Sequence, residues 1–457
     1  MSSLSLSSSN VVKARFVVVS SILIAVLIVD SSLGKVYNLV TGLKSSDAAI
    51  IIFIAILSSY SIGLILLLQL VKYTSGSPRS KTSGFLYLNI IQKVVSLTQY
   101  FLIGLLAVIL LQIFVITEYS TIILMLSTTI SYILCISITA LLSAKFFSWF
   151  LRNRNFVTLS YGIFSGILAI NALTTLIYTG SILTNYTAVI APNTALNISS
   201  PVVDSFNIFI KNVYLWSSIF SFVLVWISTA IIMRHYSNRI GKYKYWILFS
   251  LPLLYFLTQF ISPFLGLLTL VLSADPVFFS IFFSLLFSLS KLAGGILFGI
   301  SFWAIGKNLP KGNIVRDYMA ISTFGLILFF VSNQNSIVSA GAQYPPFGVA
   351  TVSFLGFASF MMMIGLYSAI ISVSEDIQLR RVIRKLTLNE VQLLDNIVTA
   401  EKQKELEKRI LKLTREQEET LTDQTGITPS ISAEDAKQYL EEVMAEVKKG
   451  KNNRTAS

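Results

Sequence analysis

Lys291 is the residue whose type and position most plainly ask for chemistry. It stands in the run Ser288-Leu289-Ser290-Lys291-Leu292-Ala293-Gly294-Gly295, near the middle of an apolar stretch from Val277 to Gly306. That stretch has membrane length. A charged side chain at such depth costs about 3 kcal/mol or more, so it turns toward the interior of a bundle and takes a partner there. No acidic residue falls at the same depth. Its partners must then be amides, hydroxyls, carbonyls, water or an anionic ligand. Asn171 and Gln259 lie near the middle of their own apolar runs, and Asn333-Gln334-Asn335 lies in the outer half of another. Lys291, Asn171, Gln259, Asn333 and Asn335 together suit a midplane site for a small anion or zwitterion. Gly294 and Gly295 would let the helix open or let a neighbour approach closely. Pro263 would kink the preceding run, which makes these three the candidate hinge. The structural alternative is that Lys291 bonds to amides and carbonyls and holds helices together.

Other chemistry is narrow. The chain has one cysteine, Cys135, and one histidine, His235. These counts exclude an internal disulfide framework, a cysteine metal cluster and a two-histidine metal site. An enzyme would have to work with Asp, Glu, Lys, Ser or Tyr. There is no phosphate loop, kinase signature, zinc motif or Gly-x-Ser-x-Gly elbow. We assign no catalytic residue, no metal site and no cofactor.

The elements that must position Lys291 are membrane spans. Of the 457 residues 54% are hydrophobic and only 12% charged, whereas soluble domains carry about 25% charged residues. Ten apolar runs each reach the roughly 20 residues needed to cross the hydrocarbon. They are Val11–Leu33, Ala48–Val71, Lys93–Ile116, Ser120–Phe147, Phe156–Thr179, Val213–Met233, Trp246–Leu272, Val277–Gly306, Tyr318–Ala340 and Phe347–Val373. The first resembles a signal peptide, but its long core and lack of a small-residue cleavage site favour a retained helix. An even number of spans puts both termini on one side. With the N-terminus inside, the inner loops hold 16 basic residues and the outer ones 3. That is a positive-inside pattern and predicts cytoplasmic termini. Residues 376–457 carry 15 basic and 15 acidic side chains, so the net charge of +13 belongs to the membrane part. It points to anionic lipid headgroups and not to nucleic acid.

The outer loop 180–211 is rich in Asn, Thr and Ser and contains two N-glycosylation sequons, at Asn185 and Asn197. Asp30 sits at the outer end of the first span, where it either caps a helix, meets solvent or joins Asp275 in a vestibule. The division into a polytopic domain, 1–374, and a cytoplasmic tail, 375–457, follows an abrupt rise in charge. Leu379, Ile383, Leu386, Leu393 and Ile397 keep a helical spacing that Leu406, Ile410 and Leu413 resume after a phase break near Ala400. A second helix is expected from Ser432 to about Lys449. Residues 376–449 could lie on the inner surface of the bundle, pair with another copy or dock a cytoplasmic protein.

The junction Ser372-Val373-Ser374-Glu375-Asp376-Ile377-Gln378-Leu379-Arg380-Arg381-Val382-Ile383-Arg384-Lys385, with Leu393-Leu394-Asp395-Asn396-Ile397, resembles a pattern in uncharacterised polytopic membrane proteins of ammonia-oxidising archaea. The resemblance implies an archaeal cell membrane and a shared cytoplasmic helix, and supplies no activity. The expected fold is an all-α integral membrane protein of about ten transmembrane helices with a cytoplasmic helical extension. The first functional expectation is a transporter- or channel-like protein with a midplane solute or ion site around Lys291. The alternative is a non-transporting membrane sensor or scaffold using loop 180–211 and the tail.

Overall fold

The computed structural model describes residues 2–36, 47–75, 83–184, 189–190, 205–237, 241–258, 260, 276–309, 313–333, 344–376 and 389–425. Eleven α-helices carry nearly all of them: α1 Ser2–Val36, α2 Asp47–Ser75, α3 Ser83–Ile116, α4 Thr121–Arg152, α5 Phe156–Leu183, α6 Ser205–Ile232, α7 Lys242–Thr258, α8 Pro276–Asn308, α9 Ile314–Ser332, α10 Val349–Glu375 and α11 Asn389–Thr425. Among the described residues nine helices, α1–α6 and α8–α10, are long and apolar enough to cross a membrane. The tenth expected span, Trp246–Leu272, is seen as α7 up to Thr258; its remainder and Pro263 lie outside the described residues. The chain is therefore a multi-pass, all-α membrane protein. Large apolar side chains such as Leu97, Phe114 and Leu151, each more than 70% exposed, cover its outer surface. In water such a surface would drive aggregation; in lipid it is the expected solvent-facing side.

α10 is the axis of the bundle. Its apolar core stretch is 100% buried, enclosed by α1, α2, α3, α4 and α9. Lipid offers no hydrophobic drive for helices to pair, so close packing and polar contacts must do it. The α10 sequence supplies both. A Cβ at Gly365 would stand 2.6 Å from the Ser322 nitrogen and the Tyr318 carbonyl oxygen of α9. A Cβ at Gly325 of α9 would stand 2.5 Å from the Met362 nitrogen. The two backbones thus touch at both places. On the α4 side Ser131 Oγ donates to the Val352 carbonyl at 2.6 Å, and Ser127 and Ser353 share a bond at 3.2 Å.

Each end of the bundle has a closure. At the loop end, Asp30 of α1 is fully buried and receives three hydrogen bonds from the start of α10. Gly348 N–H donates to Oδ1 at 2.8 Å, while Thr351 N–H and Thr351 Oγ1 both donate to Oδ2 at 2.8 Å. Of the readings open for Asp30 the cap is the one realised, but it caps another helix. Gly348 has φ 90°, a left-handed conformation that favours glycine, and this turns its N–H toward the carboxylate. A short two-stranded ribbon, β1 Tyr119–Ser120 with β2 Val189–Ile190, ties two connections on the same end, and Tyr119 stacks on Tyr344.

At the opposite, tail end lies α11. Leu394, Ile397, Val398 and Ala400 are buried, in contact with α10 and α4 among others. The buried Trp149 of α4 donates to Glu401 at 2.8 Å and stacks on Tyr367. Arg152 pairs with Glu407 at 3.4 Å, and Asn153 Nδ2 donates to the Asn396 carbonyl at 3.1 Å. Leu406 and Leu413 point elsewhere and are more than half exposed. The phase break near Ala400 is thus a change of face within one continuous helix. The second tail helix, residues 377–388, Asn185 and Asn197 lie outside the described residues.

Asp30→Ala should lower stability by about 3 kcal/mol or more, because several donors at a dry helix start lose their acceptor. Gly365→Ala should cost about 1–3 kcal/mol by overpacking. Gly104→Ala, with nothing within 4 Å of the new methyl, should stay within about 0.5 kcal/mol. Thermal unfolding of the three variants in detergent checks the ranking.

Candidate functional site

Four helices bring three of the five expected residues together. α9 is only 19 residues long, against 28 for α5 and α6, and its end at Asn333 meets the middle of α8. Lys291 Nζ donates to the Asn333 main-chain carbonyl at 2.6 Å. A second bond, at 3.3 Å, goes to the Tyr214 hydroxyl of α6. The hydroxyl is the closer contact; the ring centroid lies 5.8 Å away. Asn333 is the C-cap of α9, and its own N–H donates to the Phe329 carbonyl at 2.8 Å. Lys291 therefore places positive charge at the end of a helix where unpaired carbonyls gather partial negative charge.

Asn171 of α5 is 1% exposed and forms the hub. Its Nδ2 donates to the Tyr214 carbonyl at 3.1 Å, Ser217 Oγ at 2.9 Å and Ser218 Oγ at 3.0 Å. Its Oδ1 accepts a long 3.4 Å contact from Asn333 Nδ2. Its main-chain carbonyl accepts from Thr174 and Thr175, one turn further along α5. Two amide hydrogens serve three oxygens, so one is shared. The site thus holds one cation, two amides, a phenol and several hydroxyls at membrane depth. Among the described residues no group of three or more His, Cys, Asp and Glu is placed to hold a metal ion.

Lys291, Asn171 and Asn333 are joined by this network, whereas Gln259 and Asn335 lie outside the described residues. α8 runs without a break through Gly294 and Gly295. Both glycines admit neighbours: a Cβ at Gly294 would overlap the Phe222 ring, and one at Gly295 would stand 3.0 Å from Phe330 Cβ. Sequence reasoning passed over Tyr214, Ser217 and Ser218. Their signal was a polar stripe, Tyr214, Ser217, Ser218 and Ser221, at positions i, i+3, i+4 and i+7 of the sixth span.

Compared with models of protein families, with curated proteins and with solved structures, the chain matches none. The reading of the site rests on its own geometry.

Lys291→Met should cost about 1–3 kcal/mol, since the end of α9 loses its charged donor. Tyr214→Phe, which removes only the 3.3 Å contact, should cost about 1 kcal/mol or less. Unfolding curves for both in detergent test this order.

Proposed function

We propose that this multi-pass membrane protein handles a small zwitterionic or anionic solute at the Lys291 site, in the manner of a transporter or channel. The observation that carries the reading is the meeting of Lys291 with the carbonyl end of α9, inside a ring of amides and hydroxyls from α5, α6 and α9. An ionisable residue inside a membrane domain is costly to keep and is found on solute and ion pathways, in proton relays and as a counter-ion to ligands. Helix ends that stop at membrane depth recur where transporters coordinate their substrates. A carboxylate would take the Lys291 ammonium and an amide of Asn171 or Asn333. An amine would find the α9 carbonyl end, from which Lys291 would be drawn away. A zwitterion satisfies both at once.

On this reading the tail end faces the cytoplasm of an archaeal cell, where the basic loops meet anionic headgroups. Asn185 and Asn197 then lie on the outer side. A second reading, a sensor or scaffold, draws on Leu406 and Leu413, which α11 turns outward from the bundle. There a second copy or a cytoplasmic protein would dock.

Thermal unfolding in detergent across a panel of amino acids, carboxylates and inorganic anions tests the first reading. A ligand at about 100 times its Kd adds about 2.7 kcal/mol to stability. One compound class should raise the Tm of the native protein and of Tyr214→Phe, and leave Lys291→Met unmoved. Equal shifts in native protein and Lys291→Met would place binding elsewhere, and no shift at all would favour the scaffold.

A further inference from the structure

The helices that build the Lys291 site repeat one order along their axes. Moving from the loop end toward the tail end, α5 presents Asn171, then Phe164, then Tyr161 and Ser160. α6 presents Tyr214, Ser217 and Ser218, then Phe222, then Ser228 and Thr229. α8 presents Lys291, then Phe298, then Ser301. α9 presents Asn333, then Phe330. Polar side chains thus lie on both sides of a phenyl layer.

The layer is dense. Phe222 stacks on Phe256 of α7 with ring centroids 4.1 Å apart, and meets Phe298 edge-on at 5.0 Å. Phe330 lies 5.1 Å from Phe298 and 6.4 Å from Phe164. All five rings are buried. Gly294, one turn from Lys291, is where Phe222 seats against the α8 backbone. A side chain at 294 would push that ring aside.

Beyond the layer the polar groups converge again. Ser228 Oγ lies 2.7 Å from Ser160 Oγ and 2.8 Å from the Leu224 carbonyl, which Ser160 Oγ also reaches at 3.2 Å. The Tyr161 hydroxyl lies beside Ser301 and Thr229. Ser301 Oγ donates instead to the Phe298 carbonyl at 2.6 Å, and Tyr161 OH and Thr229 Oγ1, though close to one another, make no hydrogen bond of good geometry with the described protein. Buried hydroxyls left in this state mark a place for water or a polar ligand.

We infer that the Tyr161, Thr229, Ser228 and Ser301 hydroxyls form a second polar seat, and that the Phe164, Phe222, Phe256, Phe298 and Phe330 layer is the gate between it and the Lys291 site. This rests on the solute reading and deepens it. The gate bars a hydrated solute because the layer offers it no hydrogen-bonding group. It opens when Phe222 leaves its place against Gly294. The second seat, lined by neutral hydroxyls, takes a hydrated or hydroxyl-bearing small solute without holding it by charge.

Single cysteines in the full-length protein test this. Cys135 is buried, and Cys135→Ser gives the background. Ser218→Cys reports the Lys291 site and Thr229→Cys the second seat. A charged, membrane-impermeant thiol reagent is applied to vesicles from either side, with Phe222→Ala and Phe298→Ala as gate variants. Monodisperse gel filtration selects folded protein. With native phenyls, Ser218→Cys should react only from the loop side and Thr229→Cys only from the tail side. Either gate variant should raise the tail-side rate at Ser218→Cys tenfold or more. An unchanged tail-side rate in both folded gate variants overturns the gate. An inert Thr229→Cys overturns the second seat, and both leave the Lys291 reading standing. A Ser218→Cys that is inert from both sides in every background defeats the solute reading along with this one.

Discussion

A helix that starts inside a membrane bundle, walled in by protein, has no water beside that start. The first N–H groups of such a helix must find protein partners or remain unpaired in a medium of low polarity. α10 is that helix here, and the Asp30 carboxylate meets its first N–H groups. The two carboxylate oxygens offer acceptors, which is what a helix start requires. Lys291 does the converse for α9, the preceding helix, by donating to its terminal carbonyl. The two ends that face each other, the finish of α9 and the start of α10, are therefore held by a basic and an acidic side chain, from α8 and α1. The whole bundle is organised about that pair of anchored ends.

The two halves of the bundle meet the membrane's demands differently. Around α10 the solution is contact: Gly325, Gly365 and the serines of α4 bring backbones together and leave little room for anything else. Along α5, α6 and α8 the solution is hydrogen bonding, with amides and hydroxyls spaced at helical intervals and rings between them. A close-packed half resists change of shape, because its contacts are lost together. A half joined by exchangeable hydroxyl contacts and stacked rings has alternatives of similar energy. The gate proposed above places its motion on the α5, α6 and α8 side, against the α10 wall.

Much of this was legible in the sequence. Nine of the ten expected spans are described as helices long enough to cross, because runs of apolar residues have few other fates. Lys291, Asn171 and Asn333 could be matched with one another because polar groups in lipid must satisfy each other. Tyr214 and Ser217 were hidden by type: serine and tyrosine occur in membrane helices for many reasons, and a hydroxyl can always turn back on its own helix. The role of Asp30 was visible in kind but not in partner, since its donors stand 318 and 321 residues away. The change of face in α11 was visible as a phase break, whereas its seat on Trp149 depends on contacts that no local spacing encodes.

The distance between Asp30 and its partner also has a consequence for how the chain is made. α1 leaves the ribosome well before α10, carrying a carboxylate near one end with its partners still to be made. Its donors follow more than 300 residues later, which at about 5–20 residues per second is a wait of roughly 15–65 s. During that interval the aspartate must stay at the headgroup level, where water can hydrate it. α1 can therefore settle to its final depth only after α10 arrives. A helix made early is thus finished late, when its carboxylate is drawn into the bundle.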